Sequence, residues 1–207
     1  MHPPDDKGPV KFVAVSGIGG VGKTTAVVEA TMEAYDAGSF PGGVFHWTGT
    51  ASGLESSVRA SVKTMPGLGA SANETDFDVV LGAVRGWLSG QSGAWLVVVD
   101  NVDDASLFGN VVGSVIPGGS SKVAGVVVVT TRLRGWKLEG SGIKFDEAVE
   151  LDVLSDEDAM ELLARVSSGY EAGRGSDDTA EKEAMAEVCE KVGNLPWALR
   201  LVGGFMR

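Results

Sequence analysis

Lys23 and Thr24 close a glycine-rich run, Gly17-Ile18-Gly19-Gly20-Val21-Gly22-Lys23-Thr24-Thr25, that fits the phosphate-loop pattern G-x-x-x-x-G-K-[ST] in full. Glycines let such a loop curl so that successive backbone N–H groups point inward at phosphate oxygens, where a Cβ would obstruct the approach. A helix starting at the end of the loop would add its positive pole to the anion site. In that frame Lys23 reaches the β- and γ-phosphates, and the Thr24 hydroxyl helps hold Mg²⁺. The alternative is a strand-to-helix turn with a chance lysine. The flanking pattern speaks against it, because an apolar run, Phe12 to Val15, precedes the loop and a helix-like segment over 24–37 follows.

Two further strand ends carry chemistry. Trp95-Leu96-Val97-Val98-Val99-Asp100 is an apolar run ending in an acid, the form of a Walker B strand, and Asp100 is expected to hold Mg²⁺ directly or through water. Its neighbour Asn101 is an amide and cannot take a proton from an attacking water, so hydrolysis is expected to be slow unless Asp103 or Asp104 substitutes. Val126 to Val129 leads into Thr130-Thr131-Arg132. Arg132 either senses a γ-phosphate or pairs with a nearby carboxylate, and the sequence leaves both open. No N-K-x-D or T-K-x-D motif is present, which argues against guanine recognition.

The elements that must position these residues alternate. Apolar runs at 11–16, 44–48, 94–100, 125–130 and 148–151 read as strands, and 24–37, 54–65, 76–88 and 107–116 read as helices. Such alternation predicts an α/β fold: a parallel five-stranded sheet flanked by helices, with ligand at the carboxyl ends of the strands. Glycine-rich stretches at 38–43, 67–73 and 117–121 read as loops. After Leu151 only helices follow. Ser155 with Asp156, Glu157 and Asp158 marks one helix start, 169–178 is a loop, 179–192 is amphipathic, and Pro196 opens a last helix. The expected division is a nucleotide-binding domain over 1–151 and the start of a small helical subdomain over 152–207.

Composition excludes more than it identifies. The formal net charge of −11 divides into −2 over residues 1–145 and −9 over 146–207, a poor match to a nucleic-acid backbone. No apolar run approaches the ~20 residues of a membrane span. The single cysteine, Cys189, rules out an intramolecular disulfide and suits a reducing, cytoplasmic setting. It reads as a small core residue. His46, beside Trp47, reads as a structural histidine, and Trp87, Trp95, Trp136 and Trp197 read as packing residues.

Taken together, these stretches resemble the NB-ARC group of STAND ATPases, the regulated switches of plant and animal immune receptors and apoptosome scaffolds. The resemblance rests on the phosphate loop, on Val44-Phe45-His46-Trp47, and on Leu96 to Asp104. It rests also on Val127 to Arg132 and on Gly193-Asn194-Leu195-Pro196-Trp197-Ala198-Leu199, with Leu151 to Leu154 leading into the helical part. It implies bound ADP or ATP with Mg²⁺, held by the loop from Gly17 to Thr25 and by Asp100. It also implies Arg132 as phosphate sensor and Pro196 near adenine. Further implications are self-association in the ATP state and a longer protein with effector, winged-helix and repeat regions. Asn101 stands where a second acid is frequent, Asn194 where glycine is usual, and Trp197 where leucine is usual. The upstream adenine-contacting segment and the winged-helix histidine are expected to lie outside this stretch. A slow signalling ATPase of defence or cell-death type is thus the leading expectation. A metabolic P-loop kinase, for which no Arg-rich lid is apparent, and an interaction module with structural nucleotide are the alternatives.

Overall fold

The computed structural model describes residues 10–116, 124–133, 141–167 and 179–206. The expected loops at 117–121 and 169–178, and Trp136, lie outside these residues. Two compact units result, one of residues Met1–Gly17 with Lys23–Glu150, the other of Ile18–Gly22 with Leu151–Arg207.

The first unit is built on a five-stranded sheet. In chain order it runs β1 (Lys11–Ser16), α1 (Lys23–Asp36), β2 (Val44–Thr48), α2 (Leu54–Thr64) and α3 (Phe77–Ser89). It continues with β3 (Trp95–Val102), α4 (Ala105–Val115), β4 (Gly125–Thr131) and β5 (Glu147–Glu150). The strands lie in the order β2-β3-β4-β1-β5, and every described pairing is parallel. The valine runs occupy the centre because a strand covered on both faces tolerates no alternation with polar groups. All seven residues of β4 are buried, and Trp95 to Val99 of β3 are buried without a break. Trp95 pairs in register with Gly125, where a Cβ would stand 2.3 Å from the indole, so the glycine makes room for the ring.

The helices follow from apolar spacing. In α2, Leu54, Val58 and Val62 recur every fourth residue on one face and are buried. In α3 the buried set is Val80, Leu81, Val84 and Leu88, and in α4 it is Phe108, Val111, Val112 and Val115. Each such side chain contributes about 1.5–3 kcal/mol on burial. Asp76 caps α3 by accepting from the Asp78 N–H, and Asp104 caps α4 by accepting from the Ser106 and Leu107 N–H groups. That second cap starts α4 at Ala105, two residues before the expected 107.

Three other differences from the sequence reading have physical causes. β3 continues past Asp100 to Val102, because a bulge between Val99 and Val102 lets the pairing with β4 resume. Residues 69–73, expected as loop, form a 3₁₀ turn. β5 is an edge strand with all four residues exposed, anchored where the Phe12 N–H donates to the Asp146 carboxylate at 2.8 Å. His46 is exposed on β2, the opposite edge, and Trp47 takes the buried face, with its indole N–H 3.1 Å from the Ser61 hydroxyl.

The second unit is helical: α5 (Asp156–Ser167), α6 (Thr179–Lys191) and α7 (Pro196–Phe205). Its core is Ala159, Leu163, Cys189 and Leu199, so Cys189 is a packed residue whose thiol pKa burial pushes up. Ser155 starts α5, accepting from the Asp158 N–H and donating to the Asp158 carboxylate. A Cβ at Gly203 of α7 would stand 3.0 Å from Val166 of α5, so these helices approach closely. Trp197, expected as a packing residue, is 63% exposed. No described helix is long and apolar enough to cross a membrane.

Candidate functional site

β1 delivers the chain to Gly17, and α1 begins at Lys23, so the phosphate loop is the connection the sequence pattern requires. Gly20 and Gly22 have φ of 81° and 101°, a backbone that L side chains rarely adopt. A Cβ on Gly22 would meet no atom within 4 Å, so its positive φ, not crowding, is what calls for glycine there. The positive-φ glycines and the Lys23 ammonium that follows them are the donor set a phosphate group requires. Ile18, Gly19 and Gly20 are exposed, whereas Val21 is buried.

Lys23 is the first residue of α1 and is itself buried, at 9% exposure. Its ammonium donates to the Gly17 carbonyl at 2.8 Å, which spans the loop from end to start. Burial lowers its pKa below the ordinary 10.5, the Arg132 cation lowers it further, and Asp100 opposes both. An ammonium held in this way gains an anionic partner when phosphate arrives.

The next residue reaches the second motif. The Thr24 hydroxyl donates to the Asp100 carboxylate at 2.8 Å. Thr25 follows, exposed on the same first turn. Among the described residues no cluster of three or more His, Cys, Asp or Glu side chains could hold a metal on its own. Thr24 and Asp100 supply two hard oxygen groups side by side, which suits Mg²⁺ taken up with its nucleotide phosphates rather than in an all-protein cage.

Asp100 is held from the other side as well. The Thr130 hydroxyl, on the neighbouring strand, donates to the same Asp100 oxygen at 2.5 Å and accepts from the Asn101 N–H at 2.8 Å. Thr131 donates to the Val102 carbonyl at 2.7 Å and accepts from the Leu133 N–H at 2.9 Å. Both threonines are buried. Sequence reasoning gave a role to Arg132 here and none to the two hydroxyls before it. Two threonines closing a fully apolar strand were the available signal.

Arg132 is exposed and, among the described residues, makes no ion pair. Asn101 has a left-handed backbone, φ 62°, within the bulge. Of the substitute acids, Asp104 is engaged in capping α4, and the hydrogen bonds from Ser106 and Leu107 hold its pKa below the usual carboxylate value. That makes it a weaker base than an ordinary aspartate, and Asp103 is left as the substitute without a capping role.

Pro196 opens α7, where its missing N–H costs nothing. The following Trp197 N–H donates to the Gly20 carbonyl at 3.2 Å, and a Cβ on Gly20 would lie 3.0 Å from the Trp197 Cβ. Both contacts fall within the second unit, with which residues 18–22 are grouped.

The chain is similar to known proteins. The model of the NB-ARC domain matches residues 5–172. The regulatory protein AfsR of Streptomyces griseus is 31% identical over 192 residues, which is 91% of this chain and 18% of that protein. The Streptomyces coelicolor AfsR is 30% identical over 193 residues, 91% of this chain and 17% of that one. The chain thus spans less than a fifth of either relative. Among solved structures, a STAND protein with a tetratricopeptide repeat sensor from Pyrococcus horikoshii aligns with a TM-score of 0.51 and 18% identity, over 96% of this chain and 28% of that one. The Aeropyrum pernix ORC1 protein, solved in complex with DNA, aligns at 0.60 and 15% identity, over 94% and 54%. Both likenesses concern the fold of a P-loop NTPase. The family model covers most of the chain and includes its phosphate loop, its Walker B strand and the strand ending in Arg132: the chain belongs to the NB-ARC family.

Proposed function

We propose that this chain is the ADP/ATP-operated switch module of a larger regulatory protein, with slow Mg²⁺-dependent ATP hydrolysis as its reset. The observation that carries this reading is the meeting of Lys23, Thr24 and Asp100 at a glycine loop, with the Thr24 hydroxyl 2.8 Å from the Asp100 carboxylate. A bound Mg²⁺ would supply charge neutralisation at the phosphates, and Thr24 and Asp100 are the residues that would hold it. The protein's share is positional: Lys23 donates to the β- and γ-phosphates, and Thr24 and Asp100 fix the metal's side of the site. Arg132 distinguishes ATP from ADP, and the resemblance gives Pro196 the adenine. Exchange of ADP for ATP then shifts the population toward a self-associating form. The names of the two relatives support a regulatory output, of which defence or cell-death signalling is one form. The acidic charge is the ground for keeping nucleic acid out of this module's own binding.

The test is nucleotide identity and affinity. Mass spectrometry of nucleotide released from the purified protein is expected to find ADP. Lys23→Ala is expected to cost about 2–5 kcal/mol of binding free energy in calorimetric titration, since it deletes a charged partner of the phosphates. Unchanged affinity sinks the assignment. Binding should also take up protons on the alkaline side. The Lys23 pKa is lowered in the empty site and raised by phosphate, so affinity weakens as pH rises toward 10.5. Lys23→Ala should remove that dependence. A second reading, nucleotide as a structural cofactor of an interaction module, is favoured by Asn101 and by the capping role of Asp104. Bound nucleotide that is never hydrolysed would select it.

A further inference from the structure

The hydroxyl of Thr130 stands at the centre of the Walker B bulge, and no role has so far been given to it. It is 1% exposed. Its proton goes to Asp100, and its lone pair takes the Asn101 N–H, so one oxygen fixes both the carboxylate and the backbone that follows it. The bulge needs such a clamp. Between Val99 and Val102 the register of β3 with β4 shifts, which takes Asp100 and Asn101 out of the pairing with β4, while Asp100 keeps its pairing with Thr48 of β2. Asn101 is left-handed at this point, and its N–H would be stranded beside a buried strand without the threonine oxygen. Thr131 secures the far side of the same bulge through the Val102 carbonyl. The two hydroxyls do different work, because only Thr130 touches the carboxylate that Thr24 also addresses.

We propose that Thr130 is a positioning residue for the metal site: it holds Asp100 in the orientation that faces Thr24, and thereby sets how strongly nucleotide binding responds to Mg²⁺. This rests on the nucleotide-binding reading above. A carboxylate with a single donor on one side can rotate, and an ion offered by nucleotide phosphates then has to bear the cost of ordering it. With Thr130 and Thr24 both donating to one oxygen, that rotation would be stopped before an ion is bound.

The experiment is a titration of the full chain with a fluorescent, non-hydrolysable ATP analogue, in EDTA and over a series of Mg²⁺ concentrations. Thr130→Val keeps the volume and β-branching of the side chain and deletes the hydroxyl. Its affinity in EDTA is expected to match that of the unmodified chain. The Mg²⁺ concentration for half-maximal response should rise about 10–100-fold, the effect typical of outer partners of metal ligands. Thr130→Ser is expected to restore the response. Equal losses of affinity with and without Mg²⁺ would reduce Thr130 to a packing role and overturn the proposal, as would an unshifted Mg²⁺ response. Should Thr130→Val not fold, Thr130→Cys, with similar volume and a much weaker donor, is read in the same titration, and an unchanged response there overturns the proposal equally. An unmodified chain that binds the analogue without any Mg²⁺ response removes the metal site and this inference together. One that binds no nucleotide at all defeats the functional reading itself.

Discussion

Asn101 and Asn194, one in each unit, are the two non-glycine residues with positive φ among those described, at 62° and 52°. They reach that conformation from opposite directions. Asn101 is placed by its surroundings: the bulge of β3 turns the chain, Thr130 accepts its N–H, and the side chain is exposed. Asn194 takes part in its own placement. Gly193, also left-handed, ends α6 with its N–H on the Glu190 carbonyl, while the Asn194 N–H reaches the Cys189 carbonyl, a Schellman closure. The Asn194 side-chain amide N–H then donates to the Asp156 carboxylate at 2.7 Å, and the Asn194 backbone carbonyl accepts from the Leu154 N–H at 3.2 Å. One asparagine is a passenger on a strand defect, and the other ties the start of α5 to the turn that launches α7. Both stand where the family pattern prefers something else, so the same departure from consensus has two different physical meanings.

The largest expected effect follows at the tie. Asn194→Ala loses a hydrogen bond to a carboxylate, about 1.5 kcal/mol at the low end for a charged partner because Asp156 is exposed. It also forces alanine into the left-handed region at about 1–2 kcal/mol. A total near 3 kcal/mol is a large fraction of what a small helical unit can hold. Hydrogen exchange should show α5, α6 and α7 losing protection while β1, β3 and β4 keep theirs. Asn194→Gly removes only the side-chain bond and is expected to cost about half as much. If glycine and alanine cost the same, the backbone conformation is not what asparagine supplies there, and the contrast with Asn101 is lost.

A smaller effect is expected in the strand. Asn101→Ala should cost about 1 kcal/mol from the left-handed backbone alone. Asn101→Gly should change stability by no more than about 0.5 kcal/mol, in keeping with a surface position that has no special tie. Thermal or denaturant unfolding of the pair measures the difference. A glycine at 101 that destabilises as much as a glycine at 194 would mean that the Asn101 side chain also holds structure.

The two asparagines also mark where the sequence stopped being legible. β1 and β2 can be read to the residue, because their short apolar stretches, with four apolar residues in β1 and three in β2, are bounded by glycine or polar residues and alternate with longer helical patterns. The end of β3 could not be read that way. The acid that completes the Walker B pattern looks like a terminus, whereas the strand runs on to Val102 through a bulge that only its pairing with β4 creates. Asp104 is similar: two adjacent acids after a strand suggest a spare base, and the cap of α4 becomes visible only once the helix start is known. Trp197 shows the converse. An indole in an apolar helix reads as core, but Leu199 faces inward, and the tryptophan two residues earlier falls on the exposed side. The loop with Lys23 and Thr24 could be named as candidates because a strict spacing encodes them, and Asp100 because an acid closes an apolar run downstream of that loop. Thr130 could not, because its role depends on the hydrogen-bond direction between two strands distant in sequence.

The smallest change in stability, and the most telling for chemistry, is expected from Asn101→Asp. Aspartate tolerates the left-handed region about as well as asparagine, and the backbone N–H that Thr130 accepts is retained, so the fold should be unaffected. What changes is basicity. The unmodified chain has an amide at this position and an Asp104 committed to α4, so single-turnover hydrolysis should run well below the ~1–100 s⁻¹ of kinases with a positioned acid. If the exposed side chain at 101 faces the attacking water, the new carboxylate should raise that rate by up to about 100-fold. If it does not, the rate stays where it was and the passenger description of Asn101 is sharpened: exposed, placed by others, and remote from the reacting water. A fall in rate with weakened Mg²⁺ response would instead mean that the added charge disturbs Asp100. Asp100→Asn supplies the metal-dead baseline for all three outcomes. Rapid multiple turnover by the unmodified chain would require another base, with Asp103 the first to test, and would remove the slow reset from the proposed switch.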